Sequence, residues 1–216
     1  FRRAMGFPAD ASGLLPSGTS TATVIALAAA RERARRVRGD EDAGPEADPP
    51  SPRVYASEAA HGCIAKAVAT LGFPAGTVRS VPTDALDRID LEAAAAMIRA
   101  DRAAGATPLA LVATAGTVTT GSIDDLAGAA DLAAAESLWL HVDGAFGALG
   151  RLGRRLAGPL AAIERADSLA FDFHKWLQVP FACGAVLVRD EPAHHAAFSP
   201  GGTYPSTPGG LGGGRA

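Results

Sequence analysis

Short apolar or β-branched runs alternate along the chain with longer alanine-rich stretches, the pattern of an α/β domain built on a largely parallel sheet. The runs predict about seven strands, near 13–16, 53–57, 77–81, 109–113, 138–142, 168–171 and 184–189. Helices are expected near 20–37, 60–71, 91–104 and 124–136, and the last two strands are expected to pair as an antiparallel hairpin. Between the first helix and the second strand, Gly39 to Pro52 is acidic and proline-rich and reads as a solvated loop. Residues 1–198 therefore form one domain, and 199–216 read as a flexible Gly/Pro-rich tail with too little apolar content to fold alone.

Composition narrows the function. A chain of 216 residues with 48% hydrophobic content has enough apolar material for one core. Twenty basic against 23 acidic residues leave a formal charge of −3, which offers no net attraction to nucleic acid or to an anionic membrane. No apolar run is long enough to span a membrane and no signal-peptide pattern opens the chain, so a cytoplasmic protein acting on a small molecule is expected. Cys63 and Cys183 stand far apart with no metal-ligand spacing, and read as buried thiols of a reducing compartment.

Chemistry concentrates at strand ends. Phe171-Asp172-Phe173-His174-Lys175-Trp176 presents a lysine straight after an apolar strand. Enclosure among apolar and aromatic neighbours would favour its free amine, the form that attacks an aldehyde. In Leu138-Trp139-Leu140-His141-Val142-Asp143-Gly144-Ala145, a carboxylate ends another apolar strand. Burying Asp143 without a partner would be costly, so a cation should face it. A unit-charge pair about 4 Å apart is worth about 4 kcal/mol at an effective dielectric near 20. A lysine for an aldehyde and an aspartate for a ring nitrogen are what pyridoxal 5'-phosphate (PLP) requires, and Ala145 leaves room for the ring.

Other positions have two readings each. Ser17-Gly18-Thr19-Ser20 opens a helix and is either an N-cap or an anion site. His61 follows a strand at the end where open α/β sheets place ligands, or caps the next helix. Thr114 either lines the same place or is a buried hydroxyl bonded to backbone. His141 shares a strand face with Asp143 and is expected to hydrogen-bond it or nearby backbone in support. His174 touches an anion or packs a turn, and His194 and His195 read as surface residues.

In shared order, Gly13-Leu14-Leu15-Pro16-Ser17-Gly18-Thr19-Ser20, Tyr55-Ala56-Ser57-Glu58-Ala59-Ala60-His61, Ala113-Thr114-Ala115-Gly116-Thr117 and the Asp143 and Lys175 segments resemble the PLP-dependent group II amino-acid decarboxylases. The resemblance implies the large domain of a fold-type I PLP enzyme that decarboxylates an L-amino acid through a Lys175 Schiff base, as a homodimer in the full-length protein. It places the cofactor phosphate on Gly18, Thr19, Ser20 and His174, stacks His61 on the ring, sets Thr114 beside it and pairs Asp143 with the ring nitrogen. Tyr204, 29 residues after Lys175, matches a family tyrosine that returns a proton to the substrate carbon. Two departures stand out: Pro205 follows where the family usually has leucine, and Asp172 replaces a frequent asparagine, which is unfavourable near a phosphate unless the side chain points away. Flanking segments of the family that form the dimer and close the site have no counterpart here. Alternatives are another fold-type I reaction, aminotransfer or carbon-carbon lysis, and a catalytically silent PLP-binding fragment.

Overall fold

The computed structural model describes residues 1–40 and 48–198. In chain order the elements are β1 (Ser12–Leu14), α1 (Thr19–Arg38), β2 (Pro52–Ser57), α2 (Cys63–Thr70), β3 (Val78–Val81), α3 (Leu91–Ala103), β4 (Thr107–Thr114), α4 (Leu126–Ala135), β5 (Trp139–Asp143), β6 (Ser168–Asp172), α5 (Phe173–Trp176), β7 (Gly184–Val188) and α6 (Glu191–Ala196). The strands form one sheet in the order β1-β7-β6-β5-β4-β2-β3. From β3 through β6 every pairing is parallel, and β7 runs antiparallel to both β6 and β1. The expected α/β architecture and the terminal hairpin of β6 with β7 are both present.

Alternation along the strands assigns residues to two layers, because successive side chains point to opposite faces. Leu111 and Ala113 of β4 and Leu140 and Val142 of β5 pack with Ile98 of α3 and with Leu126 and Ala130 of α4. Their neighbours Ala110, Val112 and Trp139 pack with Ile25 and Ala26 of α1 and with Ile64 and Val68 of α2. All five residues of β5 are buried, His141 and Asp143 among them, so both faces of that strand are covered.

Helix starts divide by position. Asp90, Asp125 and Asp190 cap α3, α4 and α6, each accepting at least one early backbone N–H. By contrast α1 and α2 begin at Gly18 and Gly62 with no side-chain cap of their own. Four early amides of any helix lack internal acceptors, so these two open toward whatever lies in front of them.

Several details differ from the sequence expectation. The second helix starts at Cys63 and the fourth at Leu126, and the short helices α5 and α6, with 3₁₀ turns at Ala148–Leu152 and Ala161–Arg165, carry no periodic signal. The acidic loop does not stay wholly in solvent: Asp48 pairs with Arg35 at 2.6 Å and Pro49 is buried. Residues 41–47 of that loop, the 199–216 tail and Tyr204 within it lie outside the described residues.

Candidate active site

Parallel strands β4, β5 and β6 end at Thr114, Asp143 and Asp172, and the start of α1 sits against the same edge. Carboxyl ends of strands in an open α/β sheet are where ligands bind. A cleft of about 560 Å³ lies there. Gly18, Thr19, Ser20, His61, Thr114, Asp143, Ala145, His174 and Lys175 all line it, together with Cys63, Phe146, Asp172 and Phe181. Register explains part of this convergence, since Thr114 and Asp143 are side-by-side partners on β4 and β5. The turn into α1 approaches because Gly184 carries no side chain: a Cβ there would lie 2.6 Å from Gly18 Cα.

Lys175 is not enclosed by apolar groups as its sequence neighbours imply. Its side chain is 39% exposed, and Nζ lies 3.1 Å from Asp172 Oδ2. Asp172 is buried and does not point away from the helix start; its Oδ1 accepts the Thr19 N–H at 2.8 Å, and Oδ2 lies 3.7 Å from His174 Nε2. The His174 ring is anchored on its other side, with Nδ1 2.8 Å from the Cys183 carbonyl oxygen and 3.1 Å from the Cys183 nitrogen. Asp172 therefore takes the first amide of α1, while the amides of Ser20 and Thr21 have no acceptor among the described residues.

Asp143 is buried at the floor of the cleft. Its Oδ1 accepts the Ala145 N–H at 3.1 Å, and the Cys63 thiol lies 3.7 Å from Oδ2. No ion pair to a basic side chain reaches it among the described residues. Burial pushes its carboxyl above the usual range, against the opposing pull of the Ala145 amide, Lys175 and His61. The Cys63 thiol is pushed up to about 12 by burial and by the neighbouring carboxylate. His61 lies just before α2, and its Nδ1 accepts the Cys63 N–H at 3.2 Å, so the residue both caps that helix and faces the cleft.

Asp124, absent from the sequence reading, holds the end of β4. It is buried, and its two oxygens accept the Ile89 N–H at 2.7 Å and the Thr114 N–H at 2.6 Å. An acidic Asp124-Asp125 pair before a helix looks like a capping signal, and only Asp125 serves as one. Two further histidines need correction. His141 is fully buried and bonds Ser168, with Nδ1 2.9 Å from its Oγ, and makes no bond to Asp143 among the described residues; burial lowers it to about 4. His194 is buried rather than superficial, with Nδ1 2.6 Å from Ser12 Oγ, while His195 is exposed. Cys63 is buried and Cys183 only partly so, and both are free thiols.

The donor set fits PLP. Asp143 is a buried carboxylate in need of a cation, which a protonated ring nitrogen supplies. Thr19 Oγ1 and Thr114 Oγ1 are buried with no partner, and two open amides of α1 face the cleft end beside them. A lysine, a strand-end aspartate and a helix start with two open amides on this seven-stranded sheet define the cofactor domain of a fold-type I PLP enzyme. The chain belongs to the pyridoxal-dependent decarboxylase family, whose conserved domain matches residues 2–204. It is 39% identical over 193 residues to L-2,4-diaminobutyrate decarboxylase of Rhizobium meliloti and 38% over 186 residues to aromatic-L-amino-acid decarboxylase of Bacillus atrophaeus. These alignments cover 89% and 86% of this chain, but only 36% and 37% of the relatives. The crystal structure of Oryza sativa TDC with PLP and tryptamine superposes with a TM-score of 0.83 at 29% identity, over 94% of this chain and 43% of that one.

Proposed function

We propose that this chain binds PLP in the strand-end cleft and serves the decarboxylation of an L-amino acid to its amine. Asp143 carries the reading, as a buried carboxylate with no basic side chain bonded to it among the described residues, in a cleft that also holds the Lys175 amine. When bound, the cofactor supplies a protonated ring that accepts the electron pair left on the α-carbon as CO₂ departs. Asp143 holds the ring-nitrogen proton, and Lys175 offers the amine for the aldehyde. Gly18, Thr19 and Ser20 would form the phosphate end, with the Thr19 and Ser20 hydroxyls, the open amides of Ser20 and Thr21 and His174 beside them, which suits an anion at the start of a 20-residue helix. His61 would stack on the ring, Ala145 would leave space for it, and Thr114 would offer its free hydroxyl beside it. Tyr204 returns the proton to the substrate carbon, a role that rests on its spacing from Lys175.

The reading extends to a cytoplasmic homodimer in the full-length protein. Two free thiols accord with a reducing compartment. Val118, Phe146 and Phe181, which line the cleft, and Trp176 and Leu177 at the end of α5 are all substantially exposed, an apolar rim of the kind that partner surfaces cover. The same rim favours a second reading, in which the chain alone holds PLP without turning it over, because an open cleft admits water. Adding PLP to the wild-type chain and to Lys175→Ala tests the first step: a visible absorption band that requires Lys175 is expected, and an identical spectrum in the variant overturns the lysine assignment. Assaying the products then separates the reactions, since CO₂ with amine supports decarboxylation, keto acid supports aminotransfer, and no product from a PLP-loaded chain supports the silent reading.

A further inference from the structure

Asp172 puts a carboxylate at the end of the cleft that is to receive the phosphate. Side chains lining that cleft include two carboxylates, Asp143 and Asp172, against one ammonium, Lys175, with His61, His174 and the Cys63 thiol as the remaining titratable groups and no arginine among the described residues. One carboxylate already sits at the helix start: Asp172 Oδ1 holds the Thr19 N–H at 2.8 Å, and Oδ2 lies 3.1 Å from Lys175 Nζ. Its surroundings fix it there. A Cβ on Gly184 would lie 2.9 Å from Oδ1 and one on Gly18 would lie 3.5 Å from it, so Oδ1 is lodged between two glycines. An arriving anion meets a helix start whose first amide is taken and whose nearest ammonium is neutralised.

We propose that Asp172 is an internal anion at the phosphate end of the cleft, a positioning residue that ties the start of α1 to Lys175 and sets a low affinity for phosphate-bearing ligands. The proposal rests on the PLP reading of this cleft and deepens it. A carboxylate close to a bound phosphate repels it through a partly buried, weakly screened path. The same carboxylate keeps the Lys175 side chain directed at the helix start while the cleft is empty. Phosphate binding and release of Lys175 from Asp172 are then linked, because one carboxylate serves both.

Pyridoxine 5'-phosphate, whose alcohol replaces the aldehyde, reads phosphate binding without any bond to Lys175, and pyridoxine reads the ring alone. Calorimetric titration of both into the wild-type chain and into Asp172→Asn isolates the charge, since asparagine keeps an oxygen for the Thr19 N–H. The variant is expected to bind pyridoxine 5'-phosphate at least about tenfold more tightly, about 1.4 kcal/mol, with pyridoxine affinity unchanged. Equal or weaker binding of pyridoxine 5'-phosphate by a folded variant overturns the proposal, and so does equal tightening for both ligands, which would mark a general loosening of the cleft. Asp172→Ala, with the Thr19 amide also freed, provides the same comparison if the asparagine variant does not fold. If neither pyridoxine 5'-phosphate nor PLP binds wild type or variant, the cofactor reading fails and the proposal with it; binding that ignores Asp172 sinks the proposal alone.

Discussion

Cys63 and Asp143 face one another at the floor of the cleft, thiol sulfur 3.7 Å from carboxylate Oδ2, and burial raises both groups. Held up to about 12, the thiol keeps its proton at neutral pH, so toward the Asp143 carboxylate it acts as a donor. A thiol is a weak donor. Asp143 thus stays under-partnered in the free chain, with one backbone amide and one sulfur in place of a cation.

This predicts a conflict between stability and cofactor binding. Replacing Asp143 with Asn should stabilise the cofactor-free chain at neutral pH, by about 1–3 kcal/mol if the buried charge costs as much as an unsatisfied polar group. The sign follows from the direction of the shift. A carboxyl raised in the folded state costs nothing below its unfolded value near 3.9, and its penalty grows as pH rises through the interval up to the folded value. The stability gap between variant and wild type should therefore open with rising pH, while PLP binding in the variant weakens. Urea unfolding across that range checks the first part; a variant less stable than wild type at neutral pH would show that Asp143 is already satisfied.

His141 gives a pH dependence of opposite sense. Its folded value of about 4 lies below the ordinary 6.5, so the unfolded chain binds a proton first as pH falls. Stability from this residue is complete above about 6.5 and drains away toward 4, in total about 3 kcal/mol. His141→Gln should flatten that part of the profile while keeping a polar group opposite Ser168. Unfolding curves with the same acid slope in wild type and variant would exclude His141 as the source.

Much of this arrangement is legible in the sequence, and the limits are physical. Seven strands and the four longer helices announce themselves through apolar runs and alanine-rich stretches, Asp143 does so by ending an apolar strand, and Lys175 by following another within a few residues. Short helices such as α5, four residues long, have too few turns for a periodic pattern. What Asp124 does depends on Ile89 and Thr114, which are 35 and 10 residues away, and no local pattern encodes that meeting. Lys175 shows the same limit: Phe173 and Trp176 flank it in the chain, but in space Asp172 faces its amine. His194 misreads because its polar neighbours imply solvent, whereas Ser12, 182 residues away, closes over it.

Asp124 should matter more than its distance from the chemistry implies. Asp124→Ala leaves two buried backbone N–H groups without acceptors, at about 1–3 kcal/mol each. Asp124→Asn retains an oxygen for only one of them and should fall between. Since one of the two amides belongs to Thr114 at the cleft edge, PLP affinity is expected to decline along with stability. Thermal melts of the three proteins test the order; an alanine variant as stable as the wild type would mean that water replaces both bonds.

Gly184 supplies the last test, because it separates packing from position. A methyl group there would meet Gly18 Cα at 2.6 Å and Asp172 Oδ1 at 2.9 Å, and the first of these is backbone that cannot swing aside. Gly184→Ala must push the start of α1 away from the β7 edge, at about 1–3 kcal/mol of overpacking. Displacing that helix start also moves the amides of Ser20 and Thr21, so PLP binding should weaken at least about tenfold, since groups a fraction of an ångström out of place lose much of their hydrogen bonding. Gly158→Ala is the control: an added Cβ there meets nothing within 4 Å, and the substitution should stay within about 0.5 kcal/mol of wild type. Affinity must be measured well below each melting temperature, so that loss of folded protein does not pass for loss of binding. Wild-type affinity in a folded but destabilised Gly184→Ala chain would show that the helix start is not where the phosphate is held.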